Sequence, residues 1–327
     1  QMAYAPSSDG NNRFDTLRVS TFGYGFYERL LDRDDPVWID FTPIISRINF
    51  DDSLLRRIIF TAIASSGSSM VATADSGIIA RTSNSGRSWE IIEGISKYRI
   101  NAIAARDCTF IGVGQYGNMI RSSDNGLQWQ PVQTATQVDL HSVFMLDKLR
   151  GWAAGDIGVI LRTEDGGEHW YPLTQEQDGI TFTNINFSDE SNGFAVGLDY
   201  NYKPPIPVLR RTDNGGKTWE VIQDNVLSQF PEITKVELLD GKTGFAIGSN
   251  GLIAKTSDGG KTWEQKKNGF QKTLFDFHFN SNLDSGWVSG PEGLILMTTD
   301  GGETWEQEET NVGIDLIAMA DGEGTVV

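Results

Sequence analysis

Six copies of one eight-residue frame constrain this 327-residue chain more than any other feature. The frame is a hydroxyl residue, an acid or amide two later, a glycine two later again, and a tryptophan three after that. "TSNSGRSW" begins at Thr82, "SSDNGLQW" at Ser122, "TEDGGEHW" at Thr163, "TDNGGKTW" at Thr212, "TSDGGKTW" at Thr256 and "TTDGGETW" at Thr298. The tryptophans are Trp89, Trp129, Trp170, Trp219, Trp263 and Trp305, with successive gaps of 40, 41, 49, 44 and 42 residues. A period in the forties made of short strand-like pieces is a propeller period.

A second signal keeps register with the first. Gly77, Gly117, Gly158, Gly251 and Gly293 each stand five residues before a frame hydroxyl. "GQYG", "GDIG", "GSNG" and "GPEG" read as tight turns between strands. Upstream lie small-residue runs such as "GWAAG" and "GFAIG", and before them alternating runs such as "RINAIAA". Each repeat thus spells four strands: an alternating outer run, a small-residue run, a strand ending in the hydroxyl, and a strand after the tryptophan. Antiparallel four-stranded units around an axis make an all-β propeller. "DDSLLRRIIFTAIA", from Asp51, reads either as one short helix or as the first strand of a blade.

Six frames are regular, and a decayed seventh precedes them, with Gly25 and Trp38 standing where Gly117 and Trp129 stand. "GIDLIAMADGEGTVV" at the other end supplies a first strand and part of a second. The expectation is a seven-bladed β-propeller whose N- and C-terminal strands share one blade, which removes exposed edges. Six blades with an N-terminal decoration is the alternative. Residues 1–13 read as a flexible tail and 14–327 as one propeller domain.

The frame is the Asp-box, which speaks for fold and only weakly for function. The carboxylate of Asp258 can accept hydrogen bonds from the turn's N–H groups, Gly260 can take a positive φ, and Trp263 can pack beneath the turn and donate from its indole. Asp124, Asp165 and Asp300 repeat the acid, while Asn84 and Asn214 replace it. An amide keeps the turn cap but not acid–base chemistry, so the box reads as structural. "SDGGKT" lacks the spacing of a phosphate-binding loop, and no box has enough carboxylates for calcium. No cofactor or metal is expected.

No catalytic constellation stands out. His141, His169 and His278 are scattered, with His169 expected on an exposed turn. Cys108 is the one cysteine and reads as a small apolar filler at a strand end. "YRINAI" at Tyr98 is a faint echo of the start of a sialidase arginine motif, without its proline. A glycoside hydrolase stays open as an alternative, because 44 acidic residues always include close pairs.

Two features suggest contact with a partner. The residue before the box hydroxyl is Arg81, Arg121, Arg162, Arg211 and Lys255 in five successive repeats, and Met297 in the sixth. A cationic arc on a chain of formal charge −17 suits an acidic protein segment. The competing reading is cross-strand ion pairing, Arg81–Glu90, Arg211–Glu220 and Lys255–Glu264. Arg121 faces Gln130 and Arg162 faces Tyr171, so these two are expected to be the freer. The insertion "GLDYNYKPPIPVL" carries Tyr200 and Tyr202 on a proline-stiffened loop suited to contact.

The net charge makes nucleic acid a poor partner. No apolar run is long enough to span a membrane as a helix, and no secretory signal is visible. Gln1 precedes Met2, which reads as the natural start; a chain with its signal already removed reads the same.

Units such as "GWAAGDIGVILRTEDGGEHW" and "GFAIGSNGLIAKTSDGGKTWE" resemble the photosystem II stability and assembly factor family over nearly the whole chain. That resemblance implies a seven-bladed, non-enzymatic propeller that binds newly made reaction-centre protein and bears an arginine-rich patch. It also implies a thylakoid-lumen or periplasmic location for a processed chain, against cytoplasm or virion if Met2 is the start. "RFDTLRVSTFGYGFYERLLDRDDPVW" does not match the family. A virion or surface module that contacts protein or glycan is the second expectation.

Overall fold

The computed structural model describes residues 16–21, 25–30, 38–40 and 60–321, apart from 76, 85–87, 175–178, 281 and 311–312. β1 (Thr16–Thr21), β2 (Gly25–Leu30) and β3 (Trp38–Asp40) come first. Blade 1 holds β4 (Phe60–Ser66), β5 (Ser69–Ala74), β6 (Ile79–Thr82) and β7 (Glu90–Ile92). Blade 2 holds β8 (Ile100–Arg106), β9 (Thr109–Gly114), β10 (Met119–Ser122) and β11 (Gln130–Val132). Blade 3 holds β12 (Leu140–Met145), β13 (Gly151–Gly155), β14 (Ile160–Thr163) and β15 (Tyr171–Pro172). Blade 4 holds β16 (Ile180–Phe187), β17 (Gly193–Asp199), β18 (Ile206–Thr212) and β19 (Glu220–Val221). Blade 5 holds β20 (Ile233–Leu238), β21 (Gly244–Gly248), β22 (Ile253–Thr256) and β23 (Glu264–Gln265). Blade 6 holds β24 (Asp276–Phe279), β25 (Gly286–Ser289), β26 (Ile295–Thr298) and β27 (Glu306–Glu308), and β28 (Leu316–Asp321) ends the series.

Six sheets run in chain order, and the seventh has the order β28-β1-β2-β3. The chain is a seven-bladed propeller closed by its two ends in one blade, with Val19 opposite Met319. Only the first strand of the C-terminal contribution falls within the described residues. The expected tail over 1–13 lies outside them, and so does the start of the segment at Asp51, whose second half forms β4.

One expectation about placement is corrected. The alternating run is not the outer strand of its blade but the innermost. First strands of consecutive blades touch one another, β4 with β8, β8 with β12, β12 with β16 and β24 with β28. The fourth strands lie at the rim, where β15, β19 and β23 are exposed. Alternation says that one face of a strand is buried; it does not say at which radius.

The core lies in the seams between blades. Phe194, Val196 and Leu209 of blade 4 pack with Val236, Ala246 and Ala254 of blade 5. Small-residue second strands such as Gly151–Gly155 are buried throughout, which lets neighbouring sheets approach. The boxes share one face of the ring with the turns that follow first strands. The other face carries the turns after second strands. Four of these are type I′, with positive φ at Tyr116 and Gly117, Ile157 and Gly158, Asn250 and Gly251, and Glu292 and Gly293. In blade 4 the turn is replaced by a longer hairpin, β17–β18, with Tyr200 and Tyr202 exposed at its tip.

Candidate functional site

Each box closes on itself. In blade 5 the Thr256 hydroxyl donates to Asp258 Oδ1 at 2.9 Å and accepts from Gly260 N at 2.9 Å. Asp258 Oδ1 accepts the Lys261 and Thr262 N–H groups at 3.0 Å each, and Oδ2 accepts the Thr262 hydroxyl at 2.7 Å. The same geometry holds with an amide, since Asn214 Oδ1 accepts Thr218 N at 2.9 Å while Nδ2 donates to the Thr218 hydroxyl. Trp129, Trp170 and Trp305 donate to the carbonyls of Gly126, Gly167 and Gly302. Trp263 differs from the expectation: its ring is buried, but its indole N–H is enclosed without a partner. His169 is on the exposed turn and meets Asp165 at 2.7 Å.

These bonds hold the carboxylates ionised. Hydrogen bonds from the Thr262 N–H and hydroxyl bring Asp258 down to about 2. Burial pushes Asp165 up, but the His169 N–H and ring and the Thr163 hydroxyl outweigh it and bring it to about 2 as well. A carboxyl with a depressed folded pKa stabilises the fold fully above its unfolded value, about 3.9, and loses that contribution as pH falls through the folded one. Asp258→Asn is therefore expected to leave stability at pH 7 nearly unchanged and to flatten its decline between about pH 4 and 2. Denaturation midpoints across that range check it; a large loss at pH 7 would contradict an interchangeable cap.

The basic row is an inter-blade latch. Nε of Arg81, Arg121 and Arg211 donates to the carbonyls of Asn125, Gly166 and Gly259, at 2.7, 2.8 and 3.0 Å. Arg162 Nη1 reaches the Gly215 carbonyl at 3.3 Å, and Lys255 Nζ the Gly301 carbonyl at 2.7 Å. In all five the acceptor is the fourth box position of the next blade. Met297 ends the row, and the repeat that follows it carries no intact box in its sequence.

Pairing along the row departs from the expectation. Arg81 does meet Glu90. Lys255 lies opposite Glu264 in register but pairs with Glu303 at 2.6 Å, and Glu264 pairs with Lys266. Arg121 and Arg162 are not the freer pair. Arg121 comes within 3.5 Å of Glu168, and Arg162 within 2.9 Å of Glu164, with its guanidinium over the Trp152 ring. Arg211 is opposite Glu220 yet forms no ion pair among the described residues; its one hydrogen bond there is the latch. Cys108 is corrected too: it is exposed in the turn between β8 and β9, not packed as filler.

The sixth box position explains the difference. It is Glu168 beside Arg121 and Glu303 beside Lys255, so those cations are neutralised across the seam. After Arg162 and Arg211 the same position holds Lys217 and Lys261, both exposed. The seam of blades 4 and 5 therefore presents uncompensated positive charge on the box face, while at the seam of blades 3 and 4 Lys217 adds to an Arg162 that Glu164 pairs. This feature escaped the sequence reading, which compared neighbours within a blade; aligning each cation with the box of the following repeat would have exposed it.

One hollow lies at Arg121 of the row; another, lined by none of its cations, lies beside the β17–β18 hairpin. A cleft of about 550 Å³ is lined by Arg121, Gln128, Gln130, Glu168 and His169. A groove of about 620 Å³ runs beside β18, lined by Tyr202, Ile206, Val221 and Leu227. No group of three or more metal-ligating side chains comes together among the described residues.

The sequence profile of the family described as Photosynthesis system II assembly factor YCF48 matches residues 121–233 and 226–314. A search of curated proteins returns no match. Among solved structures, a YCF48 bound to a D1 peptide superposes with a TM-score of 0.62 and 19% identity, over 76% of this chain and 80% of that one. YCF48 from Cyanidioschyzon merolae gives 0.65 and 16%, over 81% and 94%. The GH74 xyloglucanase from Xanthomonas campestris gives 0.68 and 13%, over 91% of this chain but 53% of the enzyme. At such identities these likenesses establish the propeller fold alone.

Proposed function

The chain belongs to the family of the photosystem II assembly factor YCF48, and on that premise we propose that it is a non-catalytic scaffold that holds an acidic segment of a partner protein on its box face. The observation that carries this reading is the seam of blades 4 and 5. There Arg211 keeps its terminal guanidinium nitrogens unpaired among the described residues, and Lys261 replaces the acid that neutralises other seams. Lys217, on the neighbouring seam beside the ion-paired Arg162, extends the positive stretch. A guanidinium already fixed by its Nε presents a preorganised fork to a carboxylate. The peptide partner of the solved YCF48 supports the class of ligand, and the self-satisfied box acids support the absence of catalysis.

Lys261→Glu tests this without breaking the latch. It recreates the Arg121–Glu168 arrangement, so stability is expected to hold or rise slightly. Binding of a D1 peptide, followed by fluorescence anisotropy, is expected to weaken about tenfold or more and to fall with salt. An unchanged isotherm removes the seam as the site. Turnover on a panel of fluorogenic glycosides would overturn the non-catalytic reading.

A further inference from the structure

The box of blade 2 closes with one bond fewer than the others. In five boxes the seventh side chain bonds the second polar atom of the third. Ser88 meets Asn84 Nδ2, His169 meets Asp165 Oδ2, Thr218 meets Asn214 Nδ2, Thr262 meets Asp258 Oδ2 and Thr304 meets Asp300 Oδ2, at 2.6–2.8 Å. Blade 2 has Gln128 in the seventh place. Its N–H donates to Asp124 Oδ1 at 2.9 Å, and the Ser122 hydroxyl donates to the same oxygen at 2.7 Å. The Gln128 amide makes no hydrogen bond among the described residues, and none there reaches Asp124 Oδ2. Burial pushes Asp124 up, but the Gln128 N–H and the Ser122 hydroxyl outweigh it and hold it below its ordinary value, so the open oxygen belongs to a carboxylate. A threonine at 128 would complete the box. Blade 2 forgoes a bond that its own repeat supplies elsewhere, the mark of a position held for something outside the fold.

Both open groups line a hollow. Asp124 and Gln128 border the cleft of about 550 Å³ that lies at Arg121. Gln130 borders it too, opposite Arg121 in register, where blades 1, 4, 5 and 6 place Glu90, Glu220, Glu264 and Glu306. Gln133 adds a third exposed amide to the wall. Arg121 is already engaged, with Nε on the Gly166 carbonyl and Nη2 3.5 Å from Glu168. These groups select the ligand. Three neutral amides, each donor and acceptor, beside a lone open carboxylate oxygen suit a molecule rich in hydroxyls and without charge. An anion would meet Asp124 and Glu168. Pro131 and Val132 offer an apolar wall for a C–H face.

We propose that Asp124, Gln128, Gln130 and Gln133 form a binding site for a neutral carbohydrate, with Asp124 Oδ2 accepting a sugar hydroxyl and the amides bracketing the hydroxyls beside it. The site is separate from the cationic seam of blades 4 and 5 and uses neither Arg211 nor Lys261. A free saccharide and the end of a glycan chain share this chemistry.

Saturation-transfer NMR on the full chain tests the site with glucose, galactose and mannose, each free and as its methyl glycoside. Glucuronate serves as the anionic probe and N-acetyl-lysine amide as the cationic one. At least one neutral sugar is expected to bind, and glucuronate not. Equal binding with and without the methyl group assigns a glycan end, and loss with it a free saccharide. Asp124→Asn presents a donor where the acceptor was, as Asn84 and Asn214 do in intact boxes, and is expected to weaken binding about tenfold. Gln128→Thr is the sharpest arm, because it closes the box as Thr262 and Thr304 do: the thermal midpoint is expected to hold or rise while affinity falls about tenfold or more. Lys261→Glu is expected to leave sugar binding unchanged, so failure at the peptide seam and failure here read separately. No binding of any neutral sugar, tighter binding of either charged probe than of every sugar, or an affinity unmoved by both Gln128→Thr and Asp124→Asn overturns the site.

Discussion

Replacing Asp276 with alanine is expected to cost about 2–4 kcal/mol, because it strips a shielded ammonium of its nearer partner and unfastens the strand that closes the ring. Lys235 on β20 reaches Asp276 Oδ1 at 2.7 Å and Glu237 at 3.2 Å, with its Nζ 4.8 Å from the centre of the Phe277 ring. Burial alone would pull the pKa of Lys235 down; Asp276 and Glu237 outweigh it and hold the amine above its ordinary value. The other oxygen of Asp276 accepts Met319 N, on β28, at 2.7 Å. One carboxylate thus ties blade 5, blade 6 and the closing strand together. Asp276→Asn keeps an acceptor for Met319 and is expected to lose about half as much, which separates the charge from the hydrogen bond. Urea denaturation gives the cost, and hydrogen exchange at Met319 reports the closure. A loss below about 0.5 kcal/mol, or unchanged exchange, would contradict the role of Asp276 as a hub.

The fold was legible because a propeller repeats its own grammar. The 40- to 49-residue spacing of the tryptophans, the in-register turn glycines and the partial unit at each end together specify seven blades and their closure. What stayed hidden was everything that depends on how one blade sits against the next. Register places Lys255 opposite Glu264, and the structure keeps that register. The ammonium nevertheless leaves for Glu303, which lies 48 residues on. The twist and stagger between sheets decide such a choice, and no within-blade pattern encodes them. The same blindness made Arg121 and Arg162 look open and Arg211 look paired. The acid beside Arg162 was visible in principle, since Glu164 is two residues away.

That distinction matters for function. A row of five cations is a poor guide to a binding surface when each cation is first a structural latch. The informative position is the one where the repeat supplies a neutralising partner elsewhere and withholds it here, Lys261. It is a place where the local rule is broken while the fold around it remains satisfied.

Gly260→Val is expected to be the most damaging single change on the box face, at roughly 2–5 kcal/mol, from a left-handed backbone penalty of about 1–2 and overpacking of about 1–3. Gly260 holds φ at 81°, and a Cβ there would stand 2.1 Å from Cζ of Phe194, the buried ring of the preceding blade. Phe194 cannot yield, since it lies in the seam core with Leu209, Val236 and Trp263. The neighbouring glycine is the control. Gly259 holds φ at 74°, but the nearest atom to a Cβ there is the Gly241 carbonyl oxygen, at 3.2 Å. Blade 2 already places Asn125 at that position, with φ at 60°. Gly259→Asn is therefore expected to cost less than about 1 kcal/mol, with the latch from Arg211 intact, because the acceptor is the backbone carbonyl. Chemical denaturation of the two variants side by side decides the matter. Equal losses would mean that backbone strain alone sets the box glycines, and that the packing of the box on the Phe194 ring beneath it contributes little.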